Sequence, residues 1–208
     1  MLEEAKQNPE FLRYISFIFT FGDKANLNTN VRLIAGFTLK SSLKSCFNDS
    51  PAEEKEYVRS CVLQALLDPV ESIRNASGVI STQLVTISGL KSWPELLPTL
   101  IKLLKSENKD CITTALSCLS KITEDNIYEL DSADVNYPLN ELIPMFLSFF
   151  QYPDQEVVYH SVSCMRHSID AMPNALLTNM DNYLQVRILS PLLTRRFHGS
   201  SHEPTTRL

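Results

Sequence analysis

The chain has 208 residues, 44% of them hydrophobic, enough for one ordinary core or a short stack of repeats. A formal net charge of -5 and a pI near 5.4 leave out the basic footprint of a nucleic-acid binder. Five glycines against eleven prolines, with no Asn-Gly or Asp-Gly turn, argue against a hairpin-rich sheet and for helices.

The amino terminus, Met1-Leu2-Glu3-Glu4-Ala5-Lys6, lacks the basic-then-apolar layout of a signal peptide. Residues 1–8 read as the last turns of a helix. Pro9 admits a new helix, residues 9–21, whose apolar face is Phe11, Leu12, Ile15, Phe17, Ile18 and Phe19. This run carries Arg13 and is too short to cross a bilayer, so the expectation is a soluble intracellular protein with no membrane partner. After a polar break, Asn28 is placed as the N-cap of a helix to residue 47, with Val31, Ala35, Leu39 and Leu43 on its inward stripe.

Ser50-Pro51-Ala52-Glu53 combines a capping-box pattern with proline at a helix start and predicts a helix over 51–67. Its stripe is Tyr57, Val58, Cys61, Val62, Ala65 and Leu66. Asp68-Pro69 closes that hairpin, and a helix over 70–88 turns Ile73, Ser77, Ile80 and Leu84 inward. Ser92-Trp93-Pro94-Glu95 repeats the capping-box pattern and opens the next hairpin, with its partner helix over 108–128 and a polar connector to residue 136. Trp93, beside a proline at a helix start, is expected to pack between two repeats rather than serve as a contact. Residues 138–152 and 154–172 form the last full hairpin, and 174–189 begins another. Pro98 and Pro144 fall inside these apolar helices at equal phase, which predicts a bend in each.

A repeat runs through this order. Shifting by 46 positions carries Glu95-Leu96-Leu97-Pro98 onto Glu141-Leu142-Ile143-Pro144 and Cys118 onto Cys164. Aligned second helices give Val31 to Ala35, Ile73 to Ser77, Cys111 to Ala115 and Val157 to Ser161, at intervals of 42, 38 and 46. Each is an apolar residue followed four places on by a small one, a pattern that lets neighbouring helices approach closely. Periods near 40 are those of HEAT or armadillo arrays, whose pairs must stack because none buries its apolar face alone. The fold class expected is all-α: a HEAT-repeat superhelix of four to five hairpins over 1–185, followed by a divergent, poorly ordered tail over 186–208.

The runs Ala35-Gly36-Phe37-Thr38-Leu39-Lys40, Ile73-Arg74-Asn75-Ala76-Ser77-Gly78, Ser92-Trp93-Pro94-Glu95-Leu96-Leu97-Pro98 and Pro138-Leu139-Asn140-Glu141-Leu142-Ile143-Pro144 resemble the amino-terminal arch of the transportin family, nuclear import receptors of the karyopherin-beta-2 type. The similarity covers residues 1–185, in order and without large gaps. The family begins about one and a half helices earlier and continues through many more repeats, so the resemblance is to a piece with a truncated, divergent carboxy terminus. It implies a receptor, found in cytoplasm and nucleus, whose amino-terminal repeats hold the GTP form of the small GTPase Ran. Nuclear pore proteins are further partners implied. Cargo with a proline-tyrosine type localisation signal belongs to carboxy-terminal repeats and thus to a full-length receptor.

In such arrays the second helices line the concave side. Their positions off the buried stripe are the candidate Ran contacts: Lys40, Ser41 and Lys44, then Thr82, Gln83 and Thr86, then Lys121, Glu124 and Asp125. For any one of these taken alone, a solvated helix face is the commoner outcome.

No phosphate-binding Gly-x-x-x-x-Gly-Lys loop, Gly-x-Ser-x-Gly turn or supported Cys and His pair occurs, so neither catalysis nor a cofactor is expected. His160 and His167, seven apart, and His198 and His202 are too few and too scattered for zinc. The cysteines at 46, 61, 111, 118 and 164 form no Cys-x-x-Cys pair and read as small buried hydrophobes of a reducing compartment. The alternative function is a HEAT scaffold for complex assembly, indifferent to Ran.

Overall fold

The computed structural model describes Asn8, residues 10–181 and Leu184. In order the helices are α1 (Phe11–Phe21), α2 (Thr29–Cys46), α3 (Ala52–Ala65), α4 (Glu71–Ser88), α5 (Leu96–Leu104), α6 (Lys109–Leu130), α7 (Leu139–Ser148), α8 (Gln155–Ala171) and α9 (Asn174–Thr178). Short 3-10 turns lie at Gly22–Ala25, Ala133–Val135 and Phe149–Gln151. No strand occurs among the described residues.

Consecutive helices pair as α1 with α2, α3 with α4, α5 with α6, and α7 with α8. The second helices form a layer, α2 on α4, α4 on α6 and α6 on α8, while α1 also packs on α3 and α9 on α7. This is the stacked-hairpin superhelix that the repeat predicted. One apolar core runs through all the pairs, from Leu12 and Phe19 through Leu39, Val62, Leu84, Leu100 and Leu119 to Phe146 and Cys164.

The small residues of the aligned register are what make the layer close-packed. Ala35, Ser77, Ala115 and Ser161 are all buried. Ser77 Oγ donates to the Val62 carbonyl at 2.6 Å, and Ser161 Oγ to the Phe146 carbonyl at 2.6 Å, each fifteen residues back in the first helix of its own pair. A serine there fits the narrow gap and satisfies its own hydroxyl.

Buried polar links tie the pairs together. Arg32 donates to the carbonyls of Phe19 and Thr20, both at 3.0 Å, and pairs with the buried carboxylate of Asp68. Arg74 then donates to the carbonyls of Asp68 at 2.9 Å and Pro69 at 3.0 Å, and its Nη2 lies 3.4 Å from Asp110. The last junction is more open: Lys109 Nζ is 2.7 Å from Asp154.

Several local expectations are corrected. Val31 is exposed and Arg32 takes the inward place, because the guanidinium has carbonyls and a carboxylate to meet there. Neither capping box forms. Pro51 is itself the N-cap of α3, so Ser50 lies one residue too early and donates to the Cys46 carbonyl. Ser92 bonds back to the Gly89 carbonyl, Trp93 packs inward, and α5 begins only at Leu96. Pro98 is therefore in the first turn of α5, where its missing N–H leaves no bond unmade and requires no bend. Pro144 does lie inside α7, whereas a break in helical geometry comes at Asn126 of α6 (φ -135°). Asn28, by contrast, caps α2 as predicted, its Oδ1 accepting from the Val31 N–H at 3.0 Å. Trp93 is fully buried, as its placement suggested.

The readings of residues 1–7 and of the tail over 186–208 lie outside the described residues, as does most of the predicted helix beyond α9. No described helix is long and apolar enough to cross a membrane.

Candidate partner-binding face

The second helices present one continuous face turned away from the first helices, and its most pronounced feature is an apolar groove between α2 and α4. Leu33, Gly36, Phe37 and Lys40 line one wall and Ser72, Asn75, Ala76, Val79 and Ile80 the other, enclosing about 420 Å³. Gly36 lets α2 lie close on α1; a Cβ there would stand 2.7 Å from the Phe19 ring beneath. Phe37 is 63% exposed and Ile34 is 64% exposed. Two large apolar side chains left mostly in water forgo part of the roughly 1.5–3 kcal/mol each that full burial would give. Lys40 supplies the charge in the groove lining, and Lys44, one turn further along α2, is also exposed.

The face continues onto α6 and α8 with large exposed aromatics, Tyr128 at 75% and Tyr159 at 67%, and with Val162. Charges alternate here. Glu124 and Asp125 are exposed, Lys121 is half-buried, and His167 Nε2 lies 4.0 Å from Glu124. His160, stacked edge-on against Tyr159 at 5.3 Å, has its pKa lowered chiefly by burial. Aromatic anchors among mixed charges are the composition of protein interfaces rather than of catalytic pockets.

Eight of the nine predicted contact residues lie where such a role is open to them. Lys40, Ser41, Lys44, Thr86, Glu124 and Asp125 are exposed, and Gln83 and Lys121 are half-buried. Ser41 and Thr86 already donate to backbone carbonyls within their helices. Thr82 is the correction: it is buried, and its hydroxyl donates to the Gly78 carbonyl at 3.0 Å. α4 is flanked by α2 and α6 and backed by α3, so its free strip is narrower than stepping off one stripe assumes.

Sequence reasoning missed Ile34, Phe37, Tyr128 and Tyr159. A signal was there for the first two. Once Ala35, Leu39 and Leu43 define the inward side of α2, positions 34 and 37 fall off it, and apolar residues there have no intramolecular reason.

Among the described residues, no group of three or more His, Cys, Asp or Glu is placed to hold a metal ion. All five cysteines are free, and burial pushes the Cys118 thiol up to about 12.

Residues 1–68 match the family model described as the importin-beta N-terminal domain. Transportin from Dictyostelium discoideum is 34% identical over 184 residues, covering 88% of this chain and 19% of its own length. Transportin-1 from Homo sapiens is 32% identical over 184 residues, covering 88% of this chain and 20% of the relative. The chain thus spans about a fifth of the length of the curated relatives it matches. In fold it is similar to a solved structure of Kap121p bound to Nup53p, with a TM-score of 0.71 at 22% identity over 96% of this chain and 18% of that one. With the repeat, the paired-helix architecture and the extended sequence similarity in agreement, the chain belongs to the transportin/importin-beta family, aligned with its amino-terminal helical repeats.

Proposed function

We propose that this chain is a binding module of nuclear transport, whose second-helix face holds the small GTPase Ran in its GTP form. The observation that carries the reading is the uncovered groove between α2 and α4, with Phe37 exposed beside Lys40 in its wall and Ile34 exposed one turn before Phe37 on the same helix. Kinship with transportins gives the partner its name. A rigid surface spread over several helices suits a partner whose loops are ordered by its own nucleotide, because shape is then what the surface reads. The nucleotide chemistry belongs to Ran, and this chain contributes contacts.

The same reading places the protein in both cytoplasm and nucleus, with nuclear pore proteins as further partners and cargo held by the remaining repeats of a complete receptor. The test is the affinity of the chain for GTP-loaded against GDP-loaded Ran. The expected result is a clear preference for the GTP form that drops roughly tenfold or more in Phe37→Ala, the loss of one hot-spot anchor. Equal affinity for the two forms would instead favour a HEAT scaffold of another kind.

A further inference from the structure

The last turn of α6 is set apart from the rest of that helix. Asn126 leaves helical geometry at φ -135°, ψ 29°, and its side-chain amide nitrogen is buried without a partner among the described residues. Both features cost free energy, and a helix that simply continued would avoid them. What the break gains lies three residues on. Glu129 Oε1 accepts from the Leu90 N–H at 2.7 Å and from the Lys91 N–H at 3.2 Å. These two amides belong to the loop that leaves α4 and enters the third hairpin, so Glu129 ties the far end of α6 to the junction between the second and third pairs.

The loop is shaped to receive it. Gly89 has φ +75°, and a Cβ there would lie 3.1 Å from Glu129 Oε1. Leu90 is buried beside it, and Lys91 reaches Asp134 at 3.4 Å just past the end of α6. The broken turn also carries Tyr128, the most exposed of the large apolar side chains on the partner face. Glu124 and Asp125 immediately precede the break.

We infer that Glu129 is a positioning residue: by clamping the broken last turn of α6 onto Leu90 and Lys91, it fixes the direction in which Tyr128 meets the partner. The Tyr128 part rests on the proposed function; the clamp itself does not. A carboxylate accepting two backbone N–H groups is a strong, directional tie, and a longer or shorter side chain would not reach from the same backbone.

The experiment compares wild type, Glu129→Ala, Glu129→Gln, Tyr128→Ala and the Glu129→Ala, Tyr128→Ala double variant. Amide hydrogen exchange at Leu90 and Lys91 reads the clamp. Glu129→Ala should speed both by roughly tenfold or more, with Glu129→Gln, which retains an acceptor oxygen, in between. Unchanged exchange in Glu129→Ala overturns the clamp. Affinity for GTP-loaded Ran reads the positioning. Each single variant should weaken binding, and the double variant should be little worse than the worse single one, since both remove the same contact. Faster exchange with undiminished Ran affinity in Glu129→Ala, or strictly additive losses, overturns the positioning role. If wild type shows no preference for the GTP form, the proposed function fails and takes the Tyr128 assignment with it, while the exchange data still decide the clamp.

Discussion

Two glycines one repeat apart show how a single methyl group is judged by what stands over it. Gly36 and Gly78 both lie within helices of the second-helix layer, where exchanging glycine for alanine gains about 1 kcal/mol of helix propensity. At Gly36 the new Cβ would meet two ring carbons of Phe19 at 2.7 and 2.8 Å, and that ring is fully buried and cannot withdraw. Overpacking of this kind costs about 1–3 kcal/mol, so Gly36→Ala should be destabilising on balance. At Gly78 the Cβ would sit 3.7 Å from the Cys118 Cβ, an ordinary contact. Gly78→Ala should therefore leave stability unchanged or raise it. Opposite signs in urea midpoints are the expected outcome, and equal shifts would contradict the packing account. The cysteines offer a second check at this scale. Burial raises the Cys118 and Cys164 thiols and keeps reagents out, whereas Cys46 and Cys111 are half-buried. Alkylation of the native chain near pH 8 should label Cys46 and Cys111 and spare Cys118 and Cys164 until denaturant is added.

The helices themselves were legible from the chain because the apolar period is long and repeated, and their inward stripes hold for α3 and α4 nearly residue for residue. Helix starts were less so. A Ser-x-x-Glu pattern names a capping box only if the serine takes N-cap geometry, and this depends on its neighbours. In the first case Pro51, with ψ 154°, takes that place itself; in the second, the burial of Trp93 pulls Ser92 into the preceding turn. The partner face was legible only in its polar half. Lys40, Lys44 and the acids of α6 stand out as charges beside a stripe, but Phe37 and Ile34 look like core until the stripe is fixed, and Tyr128, which helical spacing places with Lys121 and Glu124, is an uncharged residue that a search for charges passes over. The difference between a true and an unrealised cap is measurable. Asn28→Ala removes an N-cap bond to α2 and should cost about 1 kcal/mol. Ser50→Ala removes no cap and should stay within about 0.5 kcal/mol. Equal losses would mean that Ser50 supports α3 in some way its hydrogen bond to Cys46 does not describe.

At the scale of the whole array, stability is a sum over pairs and junctions, and the junctions here are unequal. The first two are tied by buried arginines: Arg32 pairs with the Asp68 carboxylate across the first, and Arg74, which also donates to the Asp68 carbonyl, reaches Asp110 and Thr114 across the second. The Lys109 and Asp154 pair at the last junction is partly exposed and subject to screening by salt. Removing the Asp68 carboxylate strands Arg32 in a buried site, a loss of about 3–5 kcal/mol when one member of a buried pair is deleted. In a closed globule such a loss would lower protection everywhere. In a stack it should be felt by α1 to α4, which share that junction, and hardly by α6 and α8, whose core of Leu119, Ile122, Phe146 and Cys164 lies beyond it. Hydrogen exchange of Asp68→Ala should therefore show faster exchange over residues 11–88 with protection retained in α6 and α8. Asp68 Oδ1 also accepts from the Val70 N–H at 2.8 Å, so Asp68→Asn, which keeps that acceptor, separates the lost charge from the lost turn. If α6 and α8 lose protection in step with α1 to α4, the chain unfolds as one unit, and the second-helix face is then not the sum of independent hairpins but a single surface that a partner at either end would stiffen throughout.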